Sequence, residues 1–168
     1  MNKSKCQDDL HSQEGWRPGL IRLAYTYLHD VQAAEDVAQE VLAQASLQSV
    51  PLGSPRAWLF TLVRNRCLNR LRRHRQGPAV QAIGSDPAIM AGLTGPLTNV
   101  LRREAQAELF RWLATLPENQ REVLVLRYAE GLGRGEIAQV LDQPVAVVKS
   151  RLYEGLQHLR SLAGMNAD

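Results

Sequence analysis

Cysteine, aromatic side chains and long apolar runs are all scarce in this chain of 168 residues, and each scarcity excludes something. The two cysteines, Cys6 and Cys67, lie far apart without a CxxC partner. That excludes a disulfide framework or a cysteine-based zinc site and predicts reduced thiols, as in a cytoplasmic protein. Aromatic residues make up 5% and do not interleave with the arginines, which argues against a module that stacks single-stranded bases. Trp16, Trp58 and Trp112 sit in apolar stretches and read as core. No apolar run approaches the ~18 residues of a membrane helix, which predicts no membrane insertion. The opening MNKSKCQDDLHSQEG lacks an apolar h-region, which predicts no secretory signal. P-loop, GxGxxG, HExxH and GxSxG motifs are missing, and His11, His29, His74 and His158 are scattered. No catalytic set, cofactor or metal is expected.

The most informative absence is local. Residues 41–85 contain no acid but seven arginines (Arg56, Arg64, Arg66, Arg70, Arg72, Arg73, Arg75), a net of +7. Residues 1–40 carry four basic and seven acidic side chains, and residues 86–168 nine and ten. The formal net charge of +3 therefore conceals a basic block between slightly acidic flanks, an electrostatic footprint for a polyanion.

What is present is helical periodicity, with no sustained alternation of a half-buried strand. A first helix is expected from Pro18 to Leu28, with Leu20, Leu23, Ala24, Tyr27 and Leu28 on one face. Asp30 caps a second over 31–47, which buries Val37, Val41, Leu42 and Ala45 and exposes Glu35, Asp36, Gln39 and Glu40. Ser54-Pro55 starts a third over 55–75, because serine caps free amides and proline at the first position gives up no hydrogen bond. From Gln76 the glycines and prolines multiply and the periodicity stops, so 76–97 reads as a flexible interdomain linker. Further helices are expected at 98–116, 118–130, 134–141 and from Val145 to Ala163. The fold class is all-α, with two small helical domains.

Two helices carry candidate chemistry. In EGLGRGEIAQVLDQPVAVVKSRLYEGLQHL a short helix joins a longer one by three residues, the helix-turn-helix layout whose second helix enters the major groove. Asp142 occupies the turn where glycine is usual, a position aspartate tolerates better than most residues. The longer helix has an apolar stripe at 145, 148, 152, 156 and 159. Opposite lie Ala146, Val147, Ser150, Tyr153, Glu154 and Gln157, with Lys149 and Arg151 flanking. Flanking cations suit phosphates, while small, apolar and amide groups suit base edges. The plainer alternative is an amphipathic hairpin whose outer face is only solvated. On the third helix, Phe60, Val63, Cys67 and Leu71 form an apolar stripe, and Asn65, Asn69 and Arg72 align opposite it among the arginines. A solvated basic helix end accounts for Arg72 to Arg75 through the helix dipole, but not for 45 acid-free residues. The carboxylates of the second helix lack a histidine at ligand spacing, so a protein-binding patch or plain solvation remains.

The segments AEDVAQEVL (34–42), SPRAWLFTLVRNRCLNRLRR (54–73), and LPENQREVLVLRYAEGLGRGEIAQVL with PVAVVKSRL (116–141, 144–152), in that order, resemble bacterial RNA polymerase sigma factors. The resemblance is to the extracytoplasmic-function (ECF) group of the sigma-70 family. It implies sigma domain 2 at 10–75, a linker at 76–97 and sigma domain 4 at 98–163. It implies a protein that binds core RNA polymerase and directs promoter-specific initiation without catalysis, a monomer when free, held by an anti-sigma factor. By motif, Asp36, Gln39 and Glu40 would bind core polymerase. Arg56, Arg64, Asn65, Asn69, Arg72 and Arg73 would face the −10 promoter DNA. Ala146, Val147, Lys149, Ser150, Arg151, Tyr153 and Glu154 would face the −35 element. The departures are a short loop before SPRAWL, no aromatic residue from His29 to Ala57, and Ala146-Val147 and Glu154-Gly155 in the recognition helix. A stand-alone helix-turn-helix activator or repressor, or a helical enzyme acting on nucleic acid, are the alternatives.

Overall fold

Two polar side chains set the geometry of the first half. The Asp30 carboxylate accepts from the Ala33 amide at 2.8 Å, and the Ser54 hydroxyl oxygen accepts from the Ala57 amide at 3.2 Å. Each occupies an orphan donor at a helix start. The computed structural model describes residues 13–48, 51, 53–75, 108–109 and 111–165. They form helices joined by short turns, with no strand among them, and the chain divides into two compact units within 1–85 and 86–168.

The first unit holds α1 (Gln13–Leu28), α2 (Val31–Leu47) and α3 (Pro55–Arg75). The helix α1 begins before the expected Pro18, which lies inside it. Proline there removes only one ladder bond, to the carbonyl of residue 14, near an end that is already open. His29 closes α1 in the left-handed region at φ 53°, its amide donating to the Tyr25 carbonyl at 2.9 Å. No glycine marks that stop, yet it falls at Leu28, where the end of the apolar face places it. Leu20, Leu23 and Ala24 of α1, Val37, Ala38 and Val41 of α2, and Leu59, Phe60, Val63 and Cys67 of α3 are fully buried or nearly so. Ala34 and Ala45 of α2 are buried as well. Each fully buried large side chain contributes roughly 1.5–3 kcal/mol. Phe60→Ala, at the centre, would cost about 3–5 kcal/mol.

In the second unit, residues 108–109 and 111–115 are helical, followed by α4 (Glu118–Leu124), α5 (Arg134–Leu141) and α6 (Val145–Met165). The single helix expected over 118–130 is interrupted. Val125–Ala129 form a wider turn in which the Glu130 amide donates to the Val125 carbonyl five residues back, at 3.0 Å. Gly131 then turns the chain with φ 68°. Val123 to Leu126 are all buried, as are Leu132, Ile137, Leu141, Val148 and Leu152. The four consecutive buried residues from Val123 run from the end of α4 into the wider turn, while Glu118 and Asn119 at the start of α4 are exposed. The expected linker at 76–97, and residues 98–107 of the next expected helix, lie outside the described residues. Trp16, Trp58 and Trp112 are half-buried, not fully in the core. Their indoles are too large for these small helical units to enclose. No described helix is long and apolar enough to cross a membrane.

Candidate nucleic-acid and polymerase interfaces

The turn between α5 and α6 is built by backbone bonds that require Asp142 to be left-handed. Its φ and ψ are 51° and 50°, and the next amide, of Gln143, donates to the Ala138 carbonyl at 3.0 Å. That bond caps the end of α5 as a glycine would. Glu136 reaches back to accept from the Gly133 amide at 2.8 Å, and the Pro144 carbonyl receives the Val147 and Val148 amides at 3.0 and 3.2 Å. The start of α5, the turn and the start of α6 are thus each closed by hydrogen bonds.

On α6, Val148, Leu152 and Gly155 face inward. A β-carbon at Gly155 would stand 2.9 Å from Leu124 Cδ1 and 3.2 Å from Leu124 Cγ, so the glycine sets how closely α6 approaches α4. Ala146, Lys149, Ser150, Tyr153 and Glu154 are exposed and Val147 is half-buried. Tyr153 is 65% exposed on that outer surface. Arg151 is different. Its guanidinium lies 3.5 Å from the Glu122 carboxylate, and Glu122 keeps only 5% of its side chain exposed. The sequence treats Lys149 and Arg151 as equivalent flanks, whereas one reaches solvent and the other is turned onto α4. Glu154 is also tied down: the Ser150 hydroxyl donates to Oε1 at 2.8 Å and the Gln120 amide to Oε2 at 3.3 Å. The Gln120 oxygen in turn meets His158 Nδ1 at 2.8 Å. Gln120 and Glu122 carry no sequence signal because their partners are 29 to 38 residues distant, and the sequence marks Gly155 only as a departure, its steric role depending on Leu124. The i, i+4 spacing of Ser150 and Glu154 was a usable signal.

On α3, Asn65, Asn69, Arg72 and Arg73 are exposed. The Arg72 guanidinium donates to the Asn69 side-chain oxygen at 2.8 Å, holding the two in one outward group. Arg56 and Arg64 are half-buried, Arg56 with its Cζ 5.8 Å from the Phe60 ring centroid. Arg70, Arg73 and His74 line an open notch at the end of the helix. The acid-free block is nevertheless partly neutralised from α2. Glu40 takes Arg70 at 2.7 Å and Arg66 at 3.3 Å. Arg66 also donates to the Gln44 oxygen at 2.8 Å, and Arg70 to the Ala33 carbonyl at 3.4 Å. Asp36 and Gln39 stand exposed on the same helix, so Glu40 faces both the acidic surface and the arginines. Cys67 is buried beside α1, its Sγ 4.0 Å from the Ala24 carbonyl. Burial pushes its thiol from 9.0 up to about 12, partly offset by the Arg70 charge. No group of His, Cys, Asp and Glu among the described residues could hold a metal ion.

Comparison with known proteins identifies both units. Residues 14–77 match the family described as Sigma-70 region 2, and residues 106–159 match Sigma-70, region 4. The RNA polymerase sigma-H factor of Pseudomonas aeruginosa is 32% identical, over 80% of this chain and 75% of that protein. The ECF RNA polymerase sigma factor ShbA of Streptomyces griseus is 35% identical, over 77% of this chain and 71% of its own length. The fold is similar to that of the sigma factor RpoE of Bartonella quintana, solved in complex with the anti-sigma factor NepR. The TM-score is 0.70 at 24% identity, covering 94% of this chain and 98% of that one. This chain belongs to the sigma-70 family of RNA polymerase sigma factors, in the ECF group.

Proposed function

We propose that this chain binds core RNA polymerase in the cytoplasm, directs it to promoters and helps to open the duplex, without catalysing a reaction itself. Asp36, Gln39 and Glu40 on α2 form the docking face for core polymerase. Asn65, Asn69, Arg72 and Arg73, with Arg56 and Arg64 behind them, face the −10 DNA. Ala146, Val147, Lys149, Ser150, Tyr153 and Glu154 face the −35 duplex, and Arg151 acts there by bracing α6 against α4. The observation that carries the reading is that two helices of one chain, α3 and α6, each expose a cationic and amide- or hydroxyl-bearing face on the side opposite their buried stripe. Phosphate contacts then set the register and base edges set the sequence. The likeness to a sigma factor solved with an anti-sigma factor supports control by such a partner. The chain is a monomer when free.

Run-off transcription with purified core polymerase tests this. Promoter-specific transcripts should depend on the chain. Specific DNA protection by the chain alone, with initiation still requiring a different sigma factor, would make it an activator or repressor instead. Replacing Asp36, Gln39 and Glu40 together by alanine should weaken capture by core polymerase and leave the helical content intact. Unchanged capture would remove α2 as the docking face.

A further inference from the structure

The outer surface of α6 presents hydrogen-bond acceptors whose orientation is fixed before any DNA arrives. The Ser150 hydroxyl has one proton, and it is committed to Glu154 Oε1 at 2.8 Å. What Ser150 offers outward is therefore lone pairs. The Glu154 carboxylate is acceptor-only, and its second oxygen is held by the Gln120 amide at 3.3 Å. Gln120 is itself buried and oriented: its nitrogen faces the carboxylate, so its oxygen faces His158 Nδ1 at 2.8 Å. An amide flip would set oxygen against carboxylate, which keeps the network in this one arrangement. The carboxylate is thus anchored from α4 as well as from one turn back on α6, while both Ser150 and Glu154 remain exposed.

We propose that Ser150 and Glu154 form a preset acceptor pair that specifies a cytosine in the duplex read by α6. This rests on the reading that α6 enters the major groove. In that groove cytosine shows the N4 amine donor, adenine a donor beside the N7 acceptor, and thymine and guanine show acceptors at O4 and at O6 and N7. A fixed carboxylate meets cytosine with a charge-assisted bond. It meets two acceptors on guanine and one on thymine with nothing to donate, and on adenine a donor beside an acceptor. Discrimination therefore comes from repulsion of the wrong base as much as from attraction of the right one. Gln120 is a positioning residue in this scheme, since it touches the carboxylate and not the base.

The test is selection of bound sequences by the full chain from short duplexes with ten or so randomised central base pairs, at low ionic strength. The wild-type chain should enrich a motif containing a position dominated by cytosine on one strand. Changing that cytosine to thymine in a single duplex should weaken wild-type binding about 10-fold or more. In Glu154→Gln the side chain can donate as well as accept, so the same change should matter less than about 3-fold. Ser150→Ala, which removes one anchor, should also flatten the preference while leaving the salt dependence unchanged, because no phosphate contact is lost. A merely structural role would move the unfolding temperature and leave the base preference alone. If wild type and Glu154→Gln enrich the same motif with the same cytosine-to-thymine ratio, the proposal is overturned and the major-groove reading stands. If the wild-type chain enriches no sequence, both fall.

Discussion

Replacing Arg151 and Lys149 in parallel separates a structural cation from a DNA-facing one within three residues of sequence. In Arg151→Ala the Glu122 carboxylate, 5% exposed, loses a charged partner at 3.5 Å. A hydrogen bond to a charged group is worth roughly 1.5–3 kcal/mol, and this one is long and its arginine is 23% exposed, so about 1–2 kcal/mol is expected. For a unit of this size each kcal/mol lowers Tm by about 4–8 °C, giving a fall of roughly 5–15 °C in the unfolding of the second unit. Lys149 is exposed, so Lys149→Ala should leave that transition within about 2 °C. Fluorescence anisotropy on a promoter duplex across a salt series then reads the other axis. Lys149→Ala should lower the slope of log K against log salt by about 0.9, the value of one phosphate, uniformly across sequences. Arg151→Ala should keep the wild-type slope at temperatures where the unit is folded. An unmoved unfolding transition in Arg151→Ala, together with a slope reduced as much as by Lys149→Ala, would refute the assignment.

Three further outcomes are expected. Because burial raises the Cys67 thiol to about 12 from 9.0, the folded state favours the neutral form. Its contribution is therefore complete below about pH 9 and is lost as pH rises toward about 12, at about 1.4 kcal/mol per pH unit. Urea unfolding of Cys67→Ala should lack that decline between pH 9 and 11, and a parallel decline in both proteins would contradict it. Glu40→Gln should cost less than about 1 kcal/mol, because the carboxylate is 43% exposed and solvent screens its pairs. It should nevertheless release Arg66 and Arg70 and steepen the salt dependence of binding to non-specific DNA, by up to about 1.8. An unchanged slope would mean the two arginines stay turned onto α2. Gly155→Val should destabilise the second unit by about 1–3 kcal/mol, since its β-carbon alone stands 2.9 Å from a buried leucine methyl. Thermal unfolding that is unchanged or shifted upward would show that Leu124 repacks freely.

Most of the architecture was legible along the chain because it depends on local signals. The apolar stripes of α2 and α3, the caps Asp30 and Ser54, and the Asp142 turn each act within four or five residues, the distance over which a helix communicates with itself. The failures are also local in origin. Pro18 read as a start but lies inside α1, and the helix expected to run unbroken from 118 to 130 widens at Val125. In each case packing of the whole unit outweighs a weak local preference.

By itself the sequence determined an all-α chain of two small units, a basic block of seven arginines without an acid, and a helix-turn-helix with its outward face. Its motif order also determined the family. Only the tertiary structure decided which charges are available. It turns Arg66 and Arg70 onto Glu40 and Arg151 onto Glu122, while Arg72, Arg73 and Lys149 are left at the surface. The reason is range: a helix places a side chain on a face by its position alone, but the charge opposite comes from another helix 26 to 30 residues away and exists only once the units have packed.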